Sequence, residues 1–257
     1  MKICSWNIRG LGGFEKRKEV KKMIGDKKPF IVCLQETKMG ECDDFFCASL
    51  WGSSPHAYSY RPSTRASGGL LVMWDTVEVE VWSSASFNHV VQIHGRFVKS
   101  DEEFFLFNVY APCESHAKQS LWDSLSEKLH QSEGKKVCVC GDFNVVRSEE
   151  ERRSVRQGFR SLDHVPFNQF IEDNELVDLP LSCRSFTWFK GDGLSMSRLD
   201  RFLLSAEWCL TWPNCIQLAQ LRGLSDHCPV LLSVDEENWG PRPVRMLTCW
   251  HDIPGFK

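Results

Sequence analysis

The stretch that decides the fold is Val137–Asn144, with the sequence VCVCGDFN. Four apolar residues make about one strand length, and a glycine ends the run before a carboxylate and a carboxamide. Residues i and i+2 of an extended chain point to the same side, so we expect Asp142 and Asn144 to reach one site. Oxygen ligands at the end of a buried strand suit a hard cation such as Mg²⁺. Taken alone, the stretch fits a strand followed by a polar turn equally well.

Five other strand-like runs also end in a polar residue that can take part in chemistry. Three of these runs, at residues 2–8, 30–34 and 104–110, are continuously apolar or alternating. Because a sheet holds such side chains rigidly while neighbouring loops admit a substrate, we expect the strand ends to form one site. The polar residues at these ends are Asn7, Glu36, Tyr110, Asp200 and the pair Asp226–His227.

The composition is that of an ordinary globular protein. Of the 257 residues, 42% are hydrophobic and 25% are charged, which supplies a core of useful size. The formal net charge of -3 gives no global sign of nucleic-acid binding, so a phosphate-binding surface would have to be a local patch. No apolar run approaches the roughly 18 residues of a membrane span, so no membrane partner is expected.

The cysteines do not form the pattern of a disulfide framework. Several of the 12 cysteines lie inside apolar strand-like runs, where a thiol behaves as a small hydrophobe, and none shows the Cys-x2-Cys spacing of a zinc site. The N-terminus lacks the apolar stretch of a signal peptide. We therefore expect an intracellular, non-secreted protein in a reducing compartment. A nuclear role is compatible with this expectation, although no strong basic cluster supports it.

The spacing of apolar residues predicts amphipathic helices at residues 14–25, 116–131 and 162–174. Many short strand-like pieces lie between them. Many strands with few helices favour an α/β fold of two stacked mixed β-sheets flanked by helices, a four-layer α/β sandwich, over a doubly wound parallel sheet. We predict one domain over residues 1–234. Residues 235–257 are proline-rich with little periodicity, which indicates a linker or tail with little regular structure.

The strand-end residues form a recognisable chemical inventory. It comprises two to four oxygen ligands, one histidine, one tyrosine and several amides, and no serine or cysteine nucleophile stands beside a base at a suggestive spacing. This inventory suits metal-assisted hydrolysis of a phosphate ester, in which a cation polarises the phosphoryl oxygen and an activated water attacks.

Six segments, in this order along the chain, resemble those of the endonuclease/exonuclease/phosphatase superfamily. The resemblance covers residues 1–234 and implies a DNase I-like fold. The closest resemblance is to the endonuclease domain of plant non-LTR (LINE-type) retrotransposons. In such elements a reverse transcriptase domain follows, and the tail around Asn238–Pro243 resembles the joining segment although the polymerase itself is absent here. The six segments are WNIRG (6–10), QET (35–37), NVYAP (108–112), GDFN (141–144), RLDR (198–201) and SDHCP (225–229).

The resemblance implies a metal site and a cofactor. It makes Glu36 the principal metal ligand and Asp226 a second metal-side carboxylate, with Asn7 and Asp142 on the metal side as well. The implied cofactor is Mg²⁺, for which Mn²⁺ can substitute. Whether one metal or two act is left open.

The resemblance also implies catalytic roles. Asp142 would position or deprotonate the attacking water, with Asn144 holding that water and the phosphate. Tyr110 would contact the scissile phosphate, and His227 would donate to a phosphate oxygen or transfer a proton. Asp200 would fix the tautomer of His227, as a carboxylate beside an imidazole commonly does. The positions that support the site through hydrogen bonds are Thr187 and Ser225.

Departures from relatives narrow the expected activity. Abasic-site repair enzymes of the superfamily carry an aromatic residue just before the RLDR segment, where this chain has Ser197, so a strong preference for abasic sites is not expected. Phosphoinositide phosphatases usually carry Trp-Cys where this chain has Arg198-Leu199. We therefore expect a monomeric endonuclease that nicks duplex DNA with selectivity based on DNA shape, and leaves a 3′-hydroxyl.

Other interpretations remain open from the residues alone. The protein could be a phosphatase or RNA-directed member of the same superfamily, or a non-catalytic retroelement relic. The arginines of residues 147–160 are interpreted as part of a solvated loop, because three glutamates lie among them, with backbone phosphates as the alternative contact. Structural interpretations also exist for the site: surface carboxylates for Glu36 and Asp200, a strand aromatic for Tyr110, a turn for Asp226–His227 and a loop cap for Asn7.

Overall fold

A computed structural model describes residues 1–64, 67–154 and 162–234. The predicted tail at 235–257 lies outside the described residues, as does the end of the charged loop at 155–160. Within the described part of the chain, no helix is long and apolar enough to cross a membrane. The eleven cysteines in these ranges are all free thiols, in keeping with the absence of a disulfide framework expected from their spacing.

Five α-helices and one short 3-10 helix form the helical part of the described chain. The predicted helices at 14–25, 116–131 and 162–174 correspond to the first, third and fourth of them, with bounds shifted by a few residues. The helices are α1 (Phe14–Lys27), α2 (Asp44–Trp51), α3 (Ser115–His130), α4 (His164–Asp173) and α5 (Ala206–Thr211), and the 3-10 helix is Glu149–Glu151.

The strands are more numerous and several are very short. The first eight are β1 (Lys2–Asn7), β2 (Ile31–Gln35), β3 (His56–Thr64), β4 (Ser67–Asp75), β5 (Val79–Phe87), β6 (Val90–Phe97), β7 (Glu102–Tyr110) and β8 (Val137–Asp142). The others are β9 (Arg152–Arg153), β10 (Val177–Asp178), β11 (Leu181–Ser182), β12 (Trp188–Phe189), β13 (Met196–Ser197), β14 (Asp200–Leu204), β15 (Cys215–Ala219) and β16 (Val230–Val234).

The strands form two large mixed sheets and a small one. The seven-stranded sheet has the order β11-β15-β16-β1-β2-β4-β3, and the six-stranded sheet has the order β10-β14-β8-β7-β6-β5. Strand β1 runs parallel to β2, and β7 runs parallel to β8, whereas most other pairs are antiparallel. A three-stranded sheet, β12-β13-β9, lies beside them.

Three apolar clusters show how the layers stack. Residues of both large sheets share one cluster, including Ile31, Val72, Leu106 and Cys140, so the sheets pack face to face. A second cluster joins the outer face of the six-stranded sheet to α3 and α4, and a third joins the outer face of the seven-stranded sheet to α1 and α2. The predicted four-layer sandwich of two stacked mixed sheets with outer helices is confirmed.

Several short elements were not predicted from the sequence, among them two α-helices and one strand of the seven-stranded sheet. Helix α2 begins where the Asp43 carboxylate accepts a hydrogen bond from the Phe46 amide, an N-cap signal that a reader of the sequence could have used. Helix α5 begins in the same way at Ser205. Strand β15 pairs with β16 and so extends the seven-stranded sheet. Both helices have eight residues or fewer, too short for helical periodicity to be recognisable.

Candidate active site

The register of the six-stranded sheet places three of the predicted residues side by side. Asp142 at the end of β8 lies opposite Tyr110 on parallel β7 and opposite Asp200 on antiparallel β14. The chain comes this close only because residue 141 is glycine: a Cβ there would lie 1.9 Å from the Val109 carbonyl oxygen. The glycine of the VCVCGDFN stretch is therefore required by the close approach of two strands.

The seven-stranded sheet contributes the opposite wall. Asn7 ends β1, and Glu36 directly follows parallel β2, with Asn7 in register with Gln35. The loop before β16 carries Asp226 and His227. The backbone of His227 forms an isolated antiparallel β-bridge with that of Trp188. The ends of strands from both sheets therefore meet at one edge of the sandwich, as the sequence predicts.

Asp142, His227 and Asp200 form a buried triad at the centre of this edge. The Nδ1 atom of His227 lies 2.8 Å from Oδ2 of Asp200, and its Nε2 atom lies 3.8 Å from Oδ2 of Asp142. All three side chains are almost completely buried. Asp200 therefore fixes the orientation of the imidazole ring, so that its Nε2 atom turns towards Asp142.

The triad has perturbed pKa values with identifiable causes. Burial raises the pKa of Asp142 to about 6, with the Asp200 charge adding to the rise and the charge on His227 opposing it. Burial would lower the pKa of His227, but the charges of Asp200 and Asp142 outweigh it and raise the pKa to about 9. At neutral pH the imidazole is therefore a cation between carboxylates.

Two amides orient the Asp142 carboxylate. Nδ2 of Asn7 donates to Oδ2 of Asp142 at 2.8 Å, and the backbone amide of Asn144 donates to Oδ1 at 2.9 Å. The expectation that Asp142 and Asn144 share one side of an extended strand is wrong: β8 ends at Asp142, and Asn144 has a left-handed backbone with φ 49°. A turn, rather than strand alternation, brings them together, and the Asn144 side chain donates to the Ala111 carbonyl.

A second acidic cluster lies beside the triad and contains Glu36 and Asp226. The guanidinium of Arg9 bridges them, with Nη1 3.0 Å from Glu36 Oε2 and Nε 2.9 Å from Asp226 Oδ1. Lys38 approaches the other oxygen of Glu36 at 3.1 Å. Asp226 also accepts a hydrogen bond from the indole of Trp188 at 3.0 Å.

The charges of this cluster determine its ionisation. Burial would raise the pKa of Glu36, but hydrogen bonds from Arg9 and Lys38 outweigh burial and hold it below its usual value. Asp226 behaves in the same way, through Arg9 and the charge on His227. Burial raises the pKa of Tyr110, with further contributions from Glu36 and Asp142, so the phenol keeps its proton and donates to Glu36.

Thr187 and Ser225 hold the backbone of the site. The Thr187 hydroxyl accepts hydrogen bonds from the amides of Leu199 and Asp200, each at 3.0 Å. The Ser225 hydroxyl donates to the Asn7 carbonyl at 2.7 Å and accepts from the His227 amide at 3.2 Å. These contacts join Thr187 and Ser225 to the other predicted site residues in one connected network.

Three contributors to the network were given no role from the sequence. Arg9 stands two residues after Asn7, and Lys38 two residues after Glu36, so a cation follows each strand-end ligand at the same spacing. That repeated spacing is the feature of the sequence from which Arg9 and Lys38 could have been predicted as site residues. Trp188 carries no comparable signal, because a tryptophan in an apolar run more often belongs to the core.

The donor set fits a divalent cation. Cationic side chains already lie on Glu36 and Asp226, which shows that this cluster favours a positive charge. Asp142, Asp200 and His227 also place one ligand atom each within 4.8 Å of one another.

Comparison with known proteins shows which family the chain is similar to. The profile of the Endonuclease/Exonuclease/phosphatase family matches residues 4–227. An exodeoxyribonuclease of Bacillus subtilis (strain 168) is 24% identical over 91% of this chain and 100% of its own length. The DNA repair nuclease APEX1 of Danio rerio is 26% identical over 90% of this chain and 81% of its own length.

A solved structure shares the fold. The 3′ phosphatase NExo from Neisseria, determined with a product DNA hairpin, superimposes with a TM-score of 0.72. The alignment covers 91% of this chain and 99% of that one, at 18% identity. At that identity the likeness extends to the fold, which is the DNase I-like sandwich predicted from the six segments.

Proposed function

Since the chain belongs to the endonuclease/exonuclease/phosphatase family, we propose that it is a metal-dependent endonuclease that nicks duplex DNA and leaves a 3′-hydroxyl. The observation that carries this proposal is the buried Asp142–His227–Asp200 triad placed beside the acidic pair Glu36–Asp226. The names of two relatives, an exodeoxyribonuclease and a DNA repair nuclease, support DNA as the substrate.

The cation would be held by Glu36 and Asp226, with oxygens of Asn7 and Asp142 on the same side of the site. Carboxylate and amide oxygens are the ligands that Mg²⁺ and Mn²⁺ prefer. When bound, the cation supplies positive charge to the phosphoryl oxygens of the substrate. The side chains of the chain then carry out the remaining steps.

Asp142 is suited to act as the base that orients and deprotonates the attacking water. Its pKa of about 6 leaves it ionised at neutral pH yet close enough to accept a proton. Hydrogen bonds from Asn7 and the Asn144 amide fix the direction of its carboxylate. The fixed orientation reduces the entropy that the reaction would otherwise lose.

His227 is suited to stabilise the charge that develops on the phosphate. Its Nδ1 proton is held by Asp200, so the Nε2 proton is directed into the site near Asp142. A buried imidazolium donates a strong, charge-assisted hydrogen bond to a phosphate oxygen. Tyr110, which keeps its proton, and the side-chain amide of Asn144, which has a second hydrogen besides the one on the Ala111 carbonyl, are the further phosphate donors in this proposal.

We also propose that the domain derives from a non-LTR retroelement. The resemblance of the six segments and of the tail near Asn238–Pro243 supports this origin. A nick with a 3′-hydroxyl end is the product that a reverse transcriptase needs as a primer. Extension of the nicked strand by a purified reverse transcriptase, without end processing, tests whether the product has that chemistry.

The decisive experiment is nicking of supercoiled plasmid in Mg²⁺ by wild type, Asp142→Ala and His227→Ala. We expect wild type to nick and both variants to fail. A matched control is His94→Ala, because His94 also pairs with a carboxylate, Glu103, but lies on an outer sheet face. Circular dichroism monitors folding. A folded wild type that does not nick would contradict the proposal.

A substrate panel distinguishes this function from the alternatives within the family. We expect intact duplex DNA and duplex with one abasic site to be cut at similar rates. The position just before the RLDR segment, which is aromatic in abasic-site repair enzymes, is a buried serine, Ser197. An abasic-sugar pocket would therefore lack its aromatic side. Faster release of phosphate from 3′-phosphorylated DNA or from phosphorylated small molecules, or faster cleavage of RNA, would favour the alternative activities.

A further inference from the structure

Arg9 lies between two carboxylates that the proposed function assigns to the cation. Its guanidinium contacts Glu36 through Nη1 at 3.0 Å and Asp226 through Nε at 2.9 Å and Nη2 at 3.0 Å. The two carboxylates come from different loops, one after β2 and one before β16. The acidic cluster thus already contains one permanent cation, because an arginine does not lose its proton in proteins.

We propose that Arg9 is a built-in cation that occupies the place of a second divalent ion, so that the site binds one divalent cation. This inference rests on the proposed function, because it assumes that a divalent cation binds beside Glu36 and Asp226. Arg9 is then a positioning residue: it holds the two carboxylates at a fixed separation and limits how many metal ions they can take.

The balance of charge favours a single divalent cation. Four carboxylates meet at this edge, and two basic side chains oppose them. One divalent cation leaves the cluster close to neutral, whereas two would leave a strong excess of positive charge in a partly buried site. The carboxylates are Glu36, Asp142, Asp200 and Asp226, and the basic side chains are Arg9 and Lys38.

The position of Arg9 is fixed by its backbone as well as its side chain. Arg9 has a left-handed backbone with φ 56°, which is unusual for a residue other than glycine. Its amide donates to Oδ1 of Asn7 at 3.1 Å, and its carbonyl accepts from Lys16 at 2.8 Å. Because the backbone of Arg9 is held in place, the guanidinium is preorganised between the two carboxylates before a metal ion binds.

Lys38 differs from Arg9 in a way that supports the assignment. It reaches only Oε1 of Glu36, at 3.1 Å, through a flexible four-carbon stem. Arg9 instead bridges two residues with a planar, forked group. A divalent cation that approaches Glu36 therefore replaces one contact if it displaces Lys38, and several if it displaces Arg9.

The test is the number of Mn²⁺ ions bound per chain, measured by electron paramagnetic resonance and isothermal titration calorimetry without DNA. We expect about one ion for wild type, and about two for Arg9→Gln, because two carboxylates lose their shared positive charge. Arg9→Lys keeps the charge and should stay at about one. The matched control is Arg96→Gln, because exposed Arg96 also bridges two carboxylates, Glu80 and Asp101, far from the site.

Thermal unfolding supplies a second readout that does not depend on catalysis. Without metal, Arg9→Gln should melt below wild type, because Glu36 and Asp226 then repel each other. Saturating Mg²⁺ should raise the melting temperature of Arg9→Gln more than that of wild type, since a second bound ion stabilises the folded state by mass action. Arg96→Gln should respond to Mg²⁺ like wild type.

The outcomes separate this inference from the proposed function. One ion in wild type and one in Arg9→Gln, with equal Mg²⁺ stabilisation, would overturn the role of Arg9 while leaving the nuclease proposal standing. Two ions in wild type would also overturn it. No bound ion in wild type would overturn both the metal site and the inference. One ion in wild type and two in Arg9→Gln would support the inference even if plasmid nicking failed.

Discussion

Arg9 and Arg201 each link two carboxylates from distant segments, but only one of them is accessible to solvent. The Arg201 guanidinium bridges Glu151 and Asp178, and its side chain is 0% exposed. Arg9 bridges Glu36 and Asp226, and its side chain is 42% exposed. An arginine that bridges two carboxylates therefore occurs once in the interior and once at the rim of the candidate active site.

The difference in exposure separates a cluster closed to solvent from a cluster that ions and ligands can reach. In the interior, a charge that loses its partner cannot be solvated, so the Arg201 cluster must stay intact for the domain to fold. At the rim, water or a ligand can replace a lost partner, so the Arg9 cluster can exchange ions and contact a substrate. Burial, more than residue type, decides which arginine serves the fold and which serves the site.

We expect the largest effect from Asp142→Asn, which should lower the nicking activity without lowering stability. This substitution removes the proposed base while keeping its shape, and we expect nicking to fall by about 10²–10⁴-fold. The melting temperature should stay the same or rise, because burial of the Asp142 charge costs stability, as its raised pKa indicates. Single-turnover nicking and differential scanning fluorimetry measure the two effects. A variant that melts far below wild type would show that Asp142 has a structural role.

The next effect is on stability alone, in Arg201→Met. We expect the free energy of unfolding to fall by about 3 kcal/mol, because Glu151 and Asp178 lose their fully buried cation while Arg198 still contacts both. The measurement is urea denaturation at neutral pH. Nicking per folded molecule at low temperature should match wild type. A stability loss no greater than that of the exposed control Arg96→Met would contradict the contrast between the clusters.

The nicking rate should have a bell-shaped dependence on pH. We expect the nicking rate to rise through about pH 6, as Asp142 loses its proton, and to fall above about pH 9, as His227 loses its proton. Outside these limits the rate should change about tenfold per pH unit. Rates at constant ionic strength and saturating Mg²⁺ test this. A rate that does not change between pH 5 and pH 7 would rule out Asp142 as the base.

His227 should also make stability depend on pH. Its pKa rises from 6.5 to about 9 on folding, so its contribution is fully present below pH 6.5 and is lost as the pH rises through about 9. Thermal unfolding of wild type and His227→Gln over this range measures the difference. The curve of the variant should be flatter than that of wild type, and parallel curves would contradict the assignment.

The smallest expected effect is that of Lys38→Met. The lysine side chain is 39% exposed and makes one ion pair, with Glu36, so the free energy of unfolding should change by less than about 1 kcal/mol. Urea denaturation beside Arg201→Met makes the comparison direct. A loss as large as that of Arg201→Met would show that exposure does not separate the two clusters.

Much of the fold was predictable from local patterns. The apolar runs at 30–34 and 104–110 indicate buried strands, and the spacing at 116–131 indicates a helix, because side-chain periodicity follows backbone geometry directly. The four-layer arrangement followed from the ratio of strands to helices. The short helices α2 and α5 and strand β15 escaped prediction because their stability comes from packing and caps rather than from a long periodic face.

The identities of the candidate site residues were available from the sequence, but their partners were not. Local chemistry marks Asn7, Glu36, Asp142 and His227 as strand-end residues that can serve a phosphate ester. The sequence alone does not determine that Asp226 pairs with Arg9, 217 residues away along the chain. That contact depends on the register of non-local strands and on how two sheets stack, and side-chain periodicity carries information about neither. Local sequence thus determined the strands and the types of functional group. Tertiary structure decided which charges neutralise each other, because burial and distance emerge only when the sheets pack.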